Sequence, residues 1–220
     1  MAIGLAVTGC APKTPQQSTP VPINVRETEQ SSGSTTATPK ATSSADPSST
    51  TSSTVLGKSF MKQLSDFTPI VGTEVTMQTS QGPIIFTLFR DKAPLTTLNF
   101  LTLAKSGFYD GLVFHRVIAD FMAQFGDPLT RDPAKQAMWG TGGAGYSIAD
   151  EFSPELKHDS EGIVSMANSG PNSGSSQIFI TYAPTPWLDG KHAVFGKVTS
   201  GMENLRKLKV GDTITTVTFK

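Results

Sequence analysis

The sequence predicts a mainly β protein, a closed eight-stranded antiparallel β-barrel capped by two α-helices. Short β-prone runs recur along the second half of the chain, separated by turns rich in Gly, Asn and Pro. Helical patterns are confined there to two segments, Pro94 to Gly107 and Met202 to Leu208. The chain carries 20 Gly and 13 Phe among its 220 residues, which indicates a turn-rich, β-rich domain. Short strands at this spacing are typical of a closed barrel, with helices plugging its open ends.

The chain before residue 59 is not expected to belong to this barrel. Of the 24 residues from Ser31 to Thr54, 16 are Ser or Thr, without hydrophobic periodicity. Such a segment cannot bury enough apolar surface to offset the entropy lost on ordering. We therefore predict a disordered tether over residues 11–58 and a folded domain over residues 59–220. A segment that folds on binding is the alternative, but no residue supports it.

Residues 1–10 resemble the signal of a bacterial lipoprotein. Small and apolar residues lead to Cys10, which is the single cysteine of the sequence and so excludes a disulfide within the chain. The run is too short to span a bilayer, so the resemblance predicts cleavage before Cys10 and lipidation of its thiol. The expected product is an extracytoplasmic lipoprotein anchored to the membrane of a bacterial envelope. No Lys or Arg precedes Cys10, so either the start is too late or the resemblance is accidental.

The domain is predicted to open with a β-hairpin followed by a helix. Val75 to Thr79 alternates like a half-buried strand, Gln81-Gly82-Pro83 forms a turn, and Ile84 to Phe89 returns as the partner strand. The helix begins at Pro94 with an apolar face and ends at Gly107.

The run from Phe114 to Asp127 places polar groups inside an apolar, β-prone segment. Arg116, Phe121 and Gln124 are expected to project from an irregular strand-bulge-strand towards one concavity, with a guanidinium beside an apolar pocket. The alternative is an edge strand whose arginine is solvated or in a salt bridge.

The Gly-rich segment after Asp127, from Gly140 to Gly145, is expected to be a surface loop. Its spacing matches no phosphate-binding fingerprint. Two strands then flank a Gly-, Asn- and Ser-rich loop between Gly162 and Thr181. A loop bearing Trp187 and His192 leads into another strand, and the last strand runs from Thr213 to Phe219.

Composition excludes several classes of function. The formal net charge is zero, so no nucleic-acid partner is expected. His115, His158 and His192 lack metal-ligand spacing, and neither a metal nor a cofactor is expected. No Ser-His-Asp or Cys-His arrangement is evident in the sequence. The protein is expected to be a monomer.

Three blocks of sequence resemble the signatures of cyclophilin-type peptidyl-prolyl cis-trans isomerases, in the order of that family. The blocks are Phe114-His115-Arg116-Val117-Ile118 with Phe121-Met122-Ala123-Gln124, then Ser165-Met166-Ala167-Asn168 with Gly170-Pro171-Asn172, Ser176-Gln177 and Phe179-Ile180, and finally Trp187-Leu188-Asp189-Gly190-Lys191-His192. The resemblance covers residues 74–220, and its compact loops are more like the bacterial members.

The resemblance implies an eight-stranded barrel with a substrate groove on its outer surface, and it assigns a role to each matching residue. Arg116 matches the catalytic arginine. The walls that hold the substrate proline match Phe121, Met122, Phe179, Leu188 and His192. The polar and backbone part of the groove matches Gln124, Ala167, Asn168 and Gln177, and Trp187 matches a rim residue associated with cyclosporin binding.

The implied function is rotation of peptide bonds that precede proline, which accelerates protein folding. The expected partners are proline-containing peptides and unfolded protein clients, and cyclosporin binding is a further expectation. A membrane-tethered module that binds proline peptides without turnover is the alternative. One departure matters most, because Phe125 stands where the family usually has Gly, and a backbone φ above zero would strain it.

Overall fold

The computed structural model describes residues 60–220, so Cys10 and the predicted tether lie outside the described residues. Two α-helices are present there, α1 (Pro94–Lys105) and α2 (Met202–Leu205). The strands are β1 (Phe60–Lys62), β2 (Glu74–Thr79), β3 (Gly82–Leu88), β4 (Arg116–Ile118), β5 (Met122–Phe125), β6 (Tyr146–Ile148), β7 (Ile163–Met166), β8 (Ile178–Thr181), β9 (Val194–Ser200) and β10 (Ile214–Phe219). Four short 3₁₀-helices lie at Leu64–Asp66, Pro128–Arg131, Pro133–Met138 and Pro186–Leu188.

Eight strands form one antiparallel sheet in the order β10-β2-β3-β9-β7-β8-β5-β4. The sheet curls into an open half-barrel, so the prediction of a closed barrel is wrong. The two edge strands, β10 and β4, do not pair as a ladder in the described part of the chain. A single bridge between Val113 and Thr213 joins the segments beside them. The sequence pattern predicted the eight strands of this sheet and missed the separate pair of β1 and β6. It carries no information on whether the first and last edges meet.

The concave side of the sheet holds an aromatic core. Along β2 and β3 the buried residues alternate, as period-two strands with one buried face require. Phe100 of α1 lies in this core, with its ring centroid 5.2 Å from Tyr109 and 5.9 Å from Phe195. The helix is more deeply buried than its predicted single apolar face, because Thr96 and Thr97 are also inside.

Local boundaries differ from the predictions in small ways. The first hairpin turns at Ser80–Gln81, with Thr79 opposite Gly82, so Gly82 and Pro83 belong to β3 rather than to the turn. The second helix ends at Leu205, one turn earlier than predicted.

Phe125 does not carry the strain that its position suggested. It lies in β5 opposite Ile178, and it is not among the described residues with positive φ. The ring is fully buried, with its centroid 5.2 Å from that of Phe114. The left-handed residue is the next one, Gly126, whose φ is 97°. A bulky side chain at 125 is therefore a core residue.

Candidate active site

The β4–β5 hairpin brings Arg116, Phe121 and Gln124 together on the outer surface. Arg116 stands opposite Gln124 in the ladder, and its Nη1 donates to the Gln124 Oε1 at 3.3 Å. The turn between the strands contains Asp120 at φ 59°, and Phe121 follows with its ring 5.7 Å from the Arg116 guanidinium carbon. Arg116 is an exposed residue of an edge strand, as one prediction had it. It also lies beside Phe121 and Gln124, as the other prediction had it.

A relay of two glutamines orients the polar side of this site. The Gln124 Nε2 donates to the Gln177 Oε1 at 2.8 Å. The Gln177 Nε2 in turn donates to the carbonyls of Gly140 and Gly142, at 2.9 and 2.7 Å. Because each amide nitrogen has an acceptor, each amide oxygen faces the next donor. The Gln124 oxygen therefore points at Arg116.

The Gly-rich loop that accepts these bonds is itself held at its start. Asp127 is fully buried, and its Oδ2 accepts the backbone N–H groups of Gly140 and Gly142 at 2.5 and 3.1 Å. A carboxylate that accepts several backbone donors is a strong local anchor. The carbonyls that bind Gln177 are thus fixed in place.

The apolar residues of the predicted pocket come from three segments. Met122 and Phe179 are almost entirely buried, with 1% and 4% of their surfaces exposed, whereas Phe121 is half-buried. The Phe179 and His192 rings meet edge to face with centroids 5.4 Å apart. The His192 Nδ1 donates to the Met166 carbonyl at 3.0 Å, which fixes the orientation of the ring. Leu188 is half-buried in the same loop as His192, whose backbone N–H bonds the Leu188 carbonyl at 3.2 Å.

The remaining predicted residues border this pocket. The Ala167 N–H donates to the Gln177 carbonyl at 3.0 Å, which joins the segment after β7 to the glutamine relay. The Asn168 side chain donates to the Lys191 carbonyl at 2.8 Å, and thereby connects that segment to the loop of His192. Trp187 has 58% of its surface exposed, and its ring centroid lies 6.1 Å from that of Phe121.

A row of three polar side chains behind the pocket was missed in the sequence. The His158 ring bonds the Asp189 Oδ1 through Nδ1 at 2.9 Å and the Ser165 Oγ through Nε2 at 3.0 Å. His158 also stacks on Phe179, with planes 11° apart and centroids 6.0 Å apart. The residues are distant in sequence and follow no motif spacing, so only the fold could reveal this Ser-His-Asp row.

Burial decides what this row can do. Ser165 and His158 are 0% and 1% exposed, so no substrate can reach the serine hydroxyl. Burial lowers the pKa of His158, although the bond to Asp189 acts in the opposite direction. The neutral ring then donates from Nδ1 to Asp189, and its Nε2 lies beside the Ser165 hydroxyl, which also lies 3.2 Å from the Ala193 carbonyl. We interpret the row as a support for Phe179 and for the loop that carries Asp189, rather than as a nucleophile.

A depression lies beside Arg116 and is lined in part by both glutamines of the relay. Its volume is about 900 Å³, and its walls come mainly from the Gly-rich loop, β6 and the segments around Asn168 and Ser175. Gln124 and Gln177 form the boundary between this depression and Arg116. The structure therefore has a second concave surface directly beside the glutamine relay.

Comparison with known proteins identifies the family. Residues 74–219 match the family model described as cyclophilin type peptidyl-prolyl cis-trans isomerase. The chain belongs to the cyclophilin-type peptidyl-prolyl cis-trans isomerases, and it is an enzyme of that activity.

Two curated relatives illustrate the similarity. The peptidyl-prolyl cis-trans isomerase-like 1 of Rhizopus delemar is 52% identical over 140 residues, which cover 61% of this chain and 79% of the relative. A peptidyl-prolyl cis-trans isomerase of Schizosaccharomyces pombe is 51% identical over 139 residues, covering 61% and 83%.

Solved structures show the same fold. A cyclophilin type isomerase of Cryptosporidium parvum, 35% identical, covers 68% of this chain and 98% of its own with a TM-score of 0.60. The same protein was solved in the presence of the dipeptide Ala-Pro, with a TM-score of 0.59 and the same identity.

These comparisons correct the predicted location. The relatives are isomerases of fungi, an amoeba and an apicomplexan, not bacterial lipoproteins, so the assignment to a bacterial envelope is wrong. The prediction that the domain is more similar to bacterial members of the family, which was based on its compact loops, is wrong for the same reason. Over residues 60–220, no helix combines the length and apolarity that crossing a bilayer requires.

Proposed function

We propose that the groove around Arg116 is where this isomerase binds and twists the bond before proline. The observation that carries this proposal is that the Arg116 guanidinium is exposed to solvent and is nevertheless held in one orientation by its neighbours. Gln124 fixes one of its nitrogens, and Phe121 lies beneath its carbon at 5.7 Å. An arginine carries five N–H donors, so one bond to Gln124 leaves others for a substrate.

The reaction needs only preferential binding of a twisted amide. Rotation about the bond is slow because amide resonance must be lost, with a barrier of about 18–20 kcal/mol. No covalent bond forms or breaks, so an enzyme accelerates the step by binding the twisted state more tightly than either planar state.

In the twisted state the proline nitrogen becomes pyramidal and gains a lone pair. A guanidinium N–H aimed at that nitrogen gains a hydrogen bond that the planar amide cannot offer. Because Arg116 is already oriented by the glutamine relay, little reorganisation is needed when the bond forms.

The residues around Arg116 bind the rest of the substrate. Phe121, Met122, Phe179, Leu188 and His192 hold the proline ring, and Gln124 with the backbone near Ala167 and Asn168 holds the peptide. Flanking residues of the peptide lie in the depression bounded by the two glutamines. The partners are proline-containing peptides and unfolded protein chains, and the exposed Trp187 would contact cyclosporin at the rim.

Arg116→Ala tests this proposal. We expect kcat/KM for a proline peptide to fall by about 100- to 1,000-fold, as for removal of one preorganised donor elsewhere. The measurement is a protease-coupled peptide assay at low temperature, with Lys105→Ala as a control that removes an exposed cation at the last residue of α1. A folded Arg116→Ala protein with the turnover of the control would refute the role of Arg116.

A further inference from the structure

Residues 60–73 form a segment that precedes the family match, which begins at residue 74. We call this segment the N-terminal strap. It is anchored at its end and middle, since the Thr73 N–H donates to the Lys220 carbonyl at 2.9 Å and the Arg90 Nη2 donates to the Ile70 carbonyl at 2.8 Å. Phe67 and Ile70 are buried in the main core, at 5% and 9% exposure. The strap is therefore an integral part of the folded domain.

The beginning of the strap pairs with a wall of the substrate groove. Its strand β1 runs parallel to β6, with Phe60 opposite Tyr146 and Lys62 opposite Ile148. Tyr146 and Ser147 of β6 line the depression beside Arg116. Within residues 60–220, β6 has no other strand ladder, because it belongs to a two-stranded sheet separate from the main one.

Side chains reinforce this pairing at one residue, Tyr146. The Lys62 ammonium lies 4.1 Å from the centre of the Tyr146 ring, and the Phe67 ring meets it edge to face with centroids 6.2 Å apart. The Tyr146 hydroxyl donates to the Asn99 Oδ1 at 2.6 Å, and the Tyr146 carbonyl accepts from the Ser175 hydroxyl at 2.7 Å. Tyr146 thus connects the strap to α1 and to the floor of the depression.

The Gly-rich loop connects this strand to the glutamine relay. Asp127 anchors the loop at Gly140 and Gly142, and β6 anchors it after Gly145. Glycines between two anchors have the widest choice of backbone conformations, so loss of either anchor would release the loop. The second anchor is shared, because β6 is held on one side by the strap and on the other by Ser175 and by Gly174, whose carbonyl accepts the Ile148 N–H at 2.8 Å.

We propose that the N-terminal strap is a positioning element of the isomerase, which holds β6 and the Gly-rich loop so that the depression accepts the residues flanking the substrate proline. The proposal rests on the proposed function of the groove. It assigns to Lys62 and Phe67 an effect on the binding of extended peptides, exerted through Tyr146 rather than by contact with the substrate.

The test compares two peptides in the full-length chain. One is a blocked tripeptide centred on proline, and the other is a heptapeptide with residues on both sides. Phe67→Ala should raise KM about three- to tenfold for the heptapeptide, since the aromatic edge contact to Tyr146 and the cation–π contact between Lys62 and the Phe67 ring are lost. KM for the tripeptide and kcat for both should stay at the wild-type values. Phe67→Tyr should restore KM, and Val71→Ala, at an 86% exposed residue of the strap, is the control.

Hydrogen exchange gives a second readout that does not depend on turnover. In Phe67→Ala the amides of residues 142–148 should exchange faster, whereas those of β3 and β9 should not change. Equal losses on both peptides, or unchanged exchange at residues 142–148, would overturn the proposal. If Phe67→Ala does not fold, the same two measurements are made on Lys62→Ala, which removes only the cation above the Tyr146 ring. The same results support or overturn the proposal. Failure of the proposed function would show separately, as full turnover in Arg116→Ala.

Discussion

Replacing Gln177 with Met removes the glutamine relay while keeping the length of the side chain. Three hydrogen bonds are lost, one from Gln124 and two to the carbonyls of Gly140 and Gly142. Each such bond contributes about 0.5–1.5 kcal/mol net, and the groove lets water replace part of this. We expect the free energy of unfolding to fall by about 2 kcal/mol, at the low end of the sum of these values.

The effect on catalysis should be separable from this loss of stability. Without its acceptor at Gln177, the Gln124 amide can turn, and Arg116 loses its fixed partner. Loss of one orienting hydrogen bond, worth about 1.4 kcal/mol, corresponds to about a tenfold lower kcat/KM.

The assay is a protease-coupled peptide assay at 10 °C, with chemical denaturation measured on the same samples. Gln136→Met is the matched control, because Gln136 is exposed in a short 3₁₀-helix outside the groove. The side-chain amide resonance of Gln124 should shift in Gln177→Met and stay unchanged in the control. A folded Gln177→Met protein with kcat/KM within twofold of the wild type would refute the relay argument.

Three further predictions concern stability. Gly126→Ala should destabilise the protein by more than about 2 kcal/mol in denaturant, since φ is 97° and a Cβ would clash with the Ser176 carbonyl oxygen; an unchanged midpoint would contradict this. Burial lowers the pKa of His158, so the folded protein binds fewer protons than the unfolded chain, and stability should be lost as pH falls below about 6.5. His158→Gln should reduce that dependence between pH 7.5 and 5.5 and leave the part due to His115, whose pKa burial also lowers; an unchanged slope would show that His158 does not contribute. Deletion of residues 1–58 should leave melting temperature and kcat/KM unchanged, because their composition predicts no packed core; a lower melting temperature would show that they contribute to the fold.

The proximity of Arg116 and Gln124 could be predicted from the sequence, because both residues lie in one short segment. Arg116 and Gln124 lie in one apolar run, eight residues apart, and a tight hairpin puts such residues opposite each other. The structure does so. The role of each residue in the groove came from resemblance alone, and it stays a proposal.

Other features could not be predicted because they depend on contacts between distant segments. His158 and Asp189 are 31 residues apart, and each residue alone looks like an ordinary loop or core residue. The pairing of β1 with β6 involves three residues on each side, too few to leave a pattern in the sequence. The strain expected at Phe125 was wrong because position 125 was compared with the family pattern by itself. The positive φ belongs to its neighbour, Gly126.

The open edge of the sheet has a consequence for the protein in concentrated solution. A terminal strand offers unpaired backbone groups to other chains, and natural sheets limit this by making such strands short and charged. β4 spans three residues, and Arg116 is its first. The charge proposed for catalysis therefore also discourages edge-to-edge pairing between copies. Removal of that charge should lower solubility as well as turnover, and Arg116→Lys should restore solubility while leaving turnover impaired.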